Sequence, residues 1–191
     1  MINEVMKFIL DEINTEITVS SGSFASLGNI ARQESGEGSA ASSPVGNVVM
    51  TVVNIEEEST LKNNTPYVRR GEEIEKQNPI IFINLYVLIS SPIDPYDKAL
   101  LRISEVIMFF QGKNVFTSEG NATSGFPDQV DKIMLELFTL NFEQVNHLWG
   151  ILGGKYLPSV MYKLRLVPIL SKKKQSVQPI EEIAANSNLI N

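Results

Sequence analysis

Histidine is the side chain best suited to proton transfer or metal binding near neutral pH, and this chain has a single one, His147, between Asn146 and Leu148. A metal site needs further ligands, and a catalytic imidazole needs a nucleophile within reach. The chain has no second histidine, no cysteine and no G-x-S-x-G elbow. Disulfides, thiolate metal sites and thiol nucleophiles are therefore excluded. On a helical projection, Val145, Leu148, Trp149 and Leu152 form one stripe and His147 points away from it, so it reads as an exposed residue without a catalytic or ligand role.

Other motifs resolve in the same way. The segment from Gly150 through Gly153, Gly154, Lys155 and Tyr156 has the glycines and lysine of a phosphate loop. Trp149 stands where the first glycine should be, Tyr156 replaces the Mg²⁺-binding hydroxyl, and the segment follows a helix instead of opening one. It reads as a C-cap turn. Glu56, Glu57 and Glu58 could hold a cation or meet the basic pair Arg69 and Arg70. Consecutive strand residues alternate between faces, so the three cannot converge without a bend. A solvated turn is the expectation, with a salt bridge between subunits as the alternative. The run 172–174 (KKK) reads as a solvated tail, and the sequons at Asn63 and Asn121 are incidental without an export signal. The residues give no catalytic site, metal or cofactor.

Composition agrees. The 191 residues, 43% hydrophobic and 20% charged, suit one globular domain with an appended arm. A chain of this size buries roughly 70% of its unfolded surface, enough for a core without covalent staples. Sixteen Lys and Arg against 22 Asp and Glu leave a net charge of −6, the reverse of a nucleic-acid binder. Residues 1–14 (MINEVMKFILDEIN) carry acids within the apolar pattern and do not read as a signal peptide; no apolar run approaches a membrane span. The expectation is a soluble chain made in the cytoplasm, without membrane insertion.

The elements follow from periodicity. Ile2, Val5, Met6, Ile9, Leu10, Ile13 and Ile17 recur at helical spacing, so 2–17 reads as an amphipathic helix. Residues 19–46 are rich in Ser, Gly and Ala and read as too weakly apolar to pack, with a mobile loop at about 33–46. Residues 47–55 read as a strand covered on both sides, ending at the acidic cluster. Residues 59–78, polar and broken by Pro66 and Gly71, form a second mobile loop. Residues 79–90 (PIIFINLYVLIS) read as a central buried strand interrupted by Asn84. Asp94 as N-cap and Pro95 at the first helical position open a helix carrying Tyr96, Ala99, Leu100, Ile103, Val106, Ile107 and Phe110. Val115–Thr117 is a short strand and 129–139 a half-buried one. Asn141 and Gln144 form a capping box for the helix carrying Trp149, which ends at Gly153 and Gly154. Residues 159–169 alternate Val160, Tyr162, Leu164 and Leu166 against Met161, Lys163, Arg165 and Val167, a last strand with one partly wet face. Residues 171–191 read as an arm. The sum is an α+β domain over 1–170, a mainly antiparallel or mixed sheet with about three helices.

One string is specific. Residues 148–169 (LWGILGGKYLPSVMYKLRLVPI), with 54–63 (NIEEESTLKN), 84–88 (NLYVL) and the helix ending VIMFFQ before NVFTS, resemble the N-terminal domain of the cap, or tail-terminator, proteins of contractile injection systems. These are the phage-tail-like particles typified by the antifeeding prophage and the virulence-cassette particles. The match runs in order from the first helix to about residue 170, and Trp149, Gly150, Gly153, Gly154, Tyr156 and Pro158 carry its signature.

The resemblance implies a fold like phage tail-completion proteins. It also implies a homo-hexameric ring on the inner tube at the end distal to the baseplate, touching the last sheath ring, ending polymerisation and fixing length without catalysis. The expected localisation is then synthesis in the bacterial cytoplasm and incorporation into a phage-tail-like particle, with extracellular release of the particle left open. Partners would be further copies, the tube protein and the sheath protein. Within that frame, Glu56, Glu57, Glu58, Arg69 and Arg70 suit contacts between subunits, and Lys155, Lys163 and Arg165 would form a basic stripe toward acidic tube or sheath. Trp149 reads as a core anchor. An adaptor between sheath and tube, or for cargo, and a ligand-binding domain are the competing readings.

Overall fold

The computed structural model describes residues 1–17, 22–33, 48–58, 67–70, 73–76, 81–118, 125–169 and 175–177. Its elements run α1 (Ile2–Glu16), β1 (Ala25–Leu27), α2 (Ile30–Gln33), β2 (Val48–Glu57), β3 (Tyr67–Arg70), β4 (Glu73–Lys76), β5 (Ile81–Ser90), α3 (Tyr96–Gly112), β6 (Val115–Thr117), β7 (Lys132–Leu137), α4 (Phe142–Ile151), β8 (Ser159–Ile169) and β9 (Gln175–Val177).

Six strands form one mixed sheet in the order β1-β2-β5-β8-β7-β6. Only β1 with β2 is parallel; the remaining neighbours are antiparallel. The ten apolar-rich residues of β5 make it a central strand, paired along its length to β2 and β8. The α+β expectation holds, with three full helices and the four-residue α2 among the described residues.

The period of two along each strand divides the core. Leu85, Val87 and Ile89 of β5, with Tyr162, Leu164 and Leu166 of β8 and Ile133 and Leu135 of β7, face α1 and α3. Val5, Met6, Phe8, Ile9 and Ile13 of α1 and Val106 and Phe110 of α3 meet them. Phe8 stands edge-on to Phe116, with ring centres 5.9 Å apart, and Phe110 packs on Tyr162 at 4.7 Å. The opposite face is covered over part of its length: Val49, Leu88 and Met161 pack against Trp149 of α4 and Ile30 of α2. Each large apolar side chain buried this way contributes roughly 2 kcal/mol.

Several expectations change. Residues 22–33 pack after all: Phe24, Ala25 and Ile30 are buried, because β1 pairs with Val48–Met50 and inserts the few apolar residues of this segment into both clusters. The strand read as 47–55 extends through Glu57, so Glu56 and Glu57 lie within it, and only its first half is covered on both faces. Pro95, not Asp94, is the N-cap of α3, and no side chain caps that terminus. The interval 59–78, read as loop, holds β3 and β4, a hairpin to which β9 adds as a third strand. In chain order β3 and β4 fall between β2 and β5, and β9 follows β8. Segment 34–46, the run 172–174, both sequons and 178–191 lie outside the described residues.

Candidate interaction surface

Helix α4 covers only part of its sheet face, and the strand residues beyond it are polar. By register, Glu56 of β2 lies opposite Asn84 of β5, Asn84 opposite Arg165 of β8, and Arg165 opposite Met134 of β7; one step along, Tyr86 pairs with Lys163 and Lys163 with Glu136. Glu56 and Glu58 share this face and Glu57 takes the other, as alternation requires.

Specific bonds join these residues. The Tyr86 hydroxyl donates to Glu56 Oε2 at 2.7 Å, and Asn84 Nδ2 donates to Glu58 Oε2 at 2.9 Å. Lys163 Nζ lies 4.0 Å from Glu58 Oε2 and 5.7 Å from the centre of the Tyr86 ring. Arg165 Nη2 meets Glu136 Oε2 at 3.1 Å. Phe138 packs edge-on against Tyr86 at 5.0 Å, joining the polar row to the apolar cluster under α4. The bond to Glu56, then burial and the neighbouring carboxylate charges, hold the Tyr86 phenol above its usual pKa, with Arg165 pulling the other way.

The predicted residues therefore fall into groups. Glu56 and Glu58 are not in a solvated turn, because extension of β2 brings them against β5. Lys163 and Arg165 share a face as predicted, yet they form no bare basic stripe: Glu58 and Glu136 stand beside them. The half-exposed Arg165–Glu136 pair contributes less than about 1 kcal/mol, and Lys163 only reaches Glu58 at 4.0 Å, so the row orders the surface more than it stabilises the fold. Lys155 is exposed in the connection from α4 to β8. Arg69 and Arg70 lie in β3 opposite Ile74 and Glu73, apart from this row in sequence and sheet, and their side chains are outside the description. Sequence reasoning missed Tyr86, Asn84 and Glu136, since their roles depend on register between distant strands.

The signature residues build the turn that returns the chain to β8. Asn141 Oδ1 accepts from the Gln144 backbone N–H at 2.8 Å, and Gln144 Oε1 accepts from the Asn141 N–H at 3.0 Å, so the predicted capping box is present. At the other end Gly153 and Gly154 adopt φ of +117° and +83°, and the Gly154 N–H donates to the Trp149 carbonyl at 2.7 Å. Trp149 is buried against Val49, Leu88 and Met161, with Tyr156 edge-on to its ring at 5.8 Å. Buried Pro158 offers its carbonyl to the Ser91 N–H at 2.9 Å, tying the turn to the end of β5. Gly150 is helical, with open space where a Cβ would project.

His147 is exposed. Among the described residues no group of three or more His, Cys, Asp or Glu is placed to hold a metal ion, and no helix is long and apolar enough to cross a membrane.

With this geometry in place, the comparison with known families is decisive. A family profile, the Pvc16 N-terminal domain, matches residues 4–182. The chain belongs to the Pvc16 N-terminal domain family. Two solved structures have the fold. One is the PVC sheath/tube terminator of an extracellular contractile injection system in the extended state, similar over 100% of this chain at 12% identity with a TM-score of 0.62. The other is the anti-feeding prophage cap, the AFP tube-terminating cap, similar over 97% of this chain at 14% identity with a TM-score of 0.54. The chain spans 64% and 60% of those two proteins. By sequence, no curated protein matches. The Pvc16 N-terminal profile extends past residue 170 and takes in β9, so family resemblance includes the first part of the segment read as an arm.

Proposed function

We propose that this chain is the structural cap, or tail terminator, of a contractile injection system: a ring of identical subunits that ends the inner tube, meets the last sheath ring and so sets particle length. Membership of the Pvc16 N-terminal family, over nearly the whole chain, is the observation that carries this reading. The fold shared with a sheath/tube terminator and a tube-terminating cap supports it. The chain acts by binding and not by catalysis, with the tube protein, the sheath protein and its own copies as partners, in a phage-tail-like particle. Six copies are the stoichiometry that the resemblance implies.

Capping requires two unlike surfaces, one that mimics the next tube ring and one that refuses it. The two faces of the large sheet are unlike, which suits such a role: one is closed by α1 and α3, and the other carries the polar row from Glu56 to Glu136 beyond α4. In this reading the row, with Lys155, contacts tube or sheath, Arg69 and Arg70 contact a neighbouring subunit, and 171–191 is an arm beyond a domain of residues 1–170. Neutralising Lys155, Lys163 and Arg165 together weakens docking while the fold survives; unchanged docking refutes that assignment.

The direct test is labelling. A gold-tagged chain, viewed by electron microscopy on intact particles, decorates only the end distal to the baseplate. Label along the sheath would favour the adaptor reading instead.

A further inference from the structure

The large sheet has an edge that its own strands cover only in part. Strand β1 pairs with β2 at Val48–Met50, and the chain then turns away: the Thr51 hydroxyl donates to the Gly28 carbonyl at 2.7 Å and accepts from the Ile30 N–H at 3.3 Å, where α2 begins. Among the described residues no strand pairs with the rest of β2 on that side. At the opposite end of the sheet the edge is the short β6, Val115–Thr117. The sequence makes the β2 edge the hazardous one. Residues 48–55 (VVMTVVNI) are uncharged, rich in β-branched side chains and free of proline, the composition that pairs with any other exposed strand.

Local features blunt this edge. The register to β5 shifts between Val52 and Asn54, so Val53 is a bulge, which bends and twists an edge strand. Glu56 and Glu57 add charge at the end of β2. The third feature is a hydrogen bond. The Glu58 N–H donates to the Phe82 carbonyl at 2.9 Å, so by antiparallel alternation Glu56 and Asn54 turn their backbone groups to β5 and Ile55 turns its own to the open edge. That outward donor is already taken: Asn54 Oδ1 accepts from the Ile55 N–H at 2.9 Å. Asn54 is exposed and the Ile55 side chain is 54% exposed, so burial does not require the bond.

We propose that Asn54 guards this edge: by holding the Ile55 N–H it keeps β2 of one copy from pairing with β2 of a second. A second copy is the partner most in need of exclusion. Antiparallel pairing of two β2 strands about Ile55 sets Glu57 opposite Val53 and Glu56 opposite Asn54, so no two carboxylates meet and charge alone does not prevent it. Such a contact is isologous and closes as a dimer, which withdraws subunits from any ring built on heterologous contacts. The guard belongs to the free chain and holds whether or not the chain ends a tube.

Absence of native cysteine permits a clean test. Ile55→Cys in the purified full chain is the reporter, because antiparallel pairing about this position brings the two Cα atoms to about 5.5 Å, within disulfide reach. Under oxidation the reporter with native Asn54 is expected to link slowly. With Asn54→Ala or Asn54→Val in the same chain, linking is expected to be about tenfold faster, since the Ile55 N–H is then free to pair. Asn54→Asp keeps an acceptor at the same reach; at high salt, which screens its charge, it is expected to link as slowly as native. Circular dichroism checks that each variant keeps the fold, as an exposed position should allow. Rapid linking with native Asn54, or equal rates for native, Ala and Val, overturns the guard. Rapid linking of the Asp variant overturns it as well, since the acceptor is then not what blocks pairing. End-labelling of particles judges the terminator role separately.

Discussion

Lys113 Nζ donates to Glu12 Oε2 at 2.6 Å, a bond between residues 101 positions apart. Glu12 lies on the inner side of α1 and is fully buried; Lys113 caps the end of α3, 27% exposed, with its ammonium 5.2 Å from the centre of the Phe116 ring. The pair fixes how the two helices lie over the sheet. Breaking a buried pair costs about 3–5 kcal/mol where the remaining charge is left uncompensated, and less where it keeps another partner, as Glu12 does, and where the lost partner is partly exposed, as Lys113 is. Lys113→Met is therefore expected to lower stability by about 1–3 kcal/mol in urea unfolding, and Glu12→Gln in the same chain to recover part of the loss. An unchanged midpoint for Lys113→Met would show that the pair does not hold the helices.

Tyr162 predicts an alkaline limit to the fold. Its burial between β5 and α3 pushes the phenol pKa up to about 12, from 10.0 in the unfolded chain. Below pH 10 the phenol is neutral in both states and its contribution is fully present. From 10 to about 12 the unfolded chain releases the proton and the folded one does not, so stability falls as pH rises. Thermal melts of Tyr162→Phe across this window are expected to show a shallower decline than wild type; parallel curves would contradict this.

The two glycine positions of the Trp149 turn separate backbone need from family habit. Gly154 holds φ at +83°, so Gly154→Ala is expected to cost about 1–2 kcal/mol even though space is open around it. Gly150 lies in the helix with nothing in the way of a Cβ, so Gly150→Ala is expected to stabilise the isolated chain by about 0.5–1 kcal/mol. Denaturant midpoints of the two variants check the opposite signs.

What the sequence made legible was local. Helices α1, α3 and α4, strand β5, the Asn141–Gln144 box and the Gly153–Gly154 reversal each follow from spacing or cap chemistry within a few residues. What it hid was pairing. Phe24 and Ile30 are sparse apolar residues in a polar stretch, and only the parallel match to β2 shows that they are core. Asn84 looked like an interruption, and its purpose emerges only with Glu58, 26 residues earlier, on the adjoining strand. Lys163 and Arg165 were visible as cations, but Glu58 and Glu136, which offset them, come from other strands.

The central claim is that this chain ends tube growth. Its most direct measurement is the length distribution of particles, by electron microscopy, from cells lacking the gene, from the parent and from a complemented strain. The account predicts tubes of uncontrolled length or sheaths lost from the distal end in the deletion, restored on complementation. Particles of normal length with sheaths intact would contradict it.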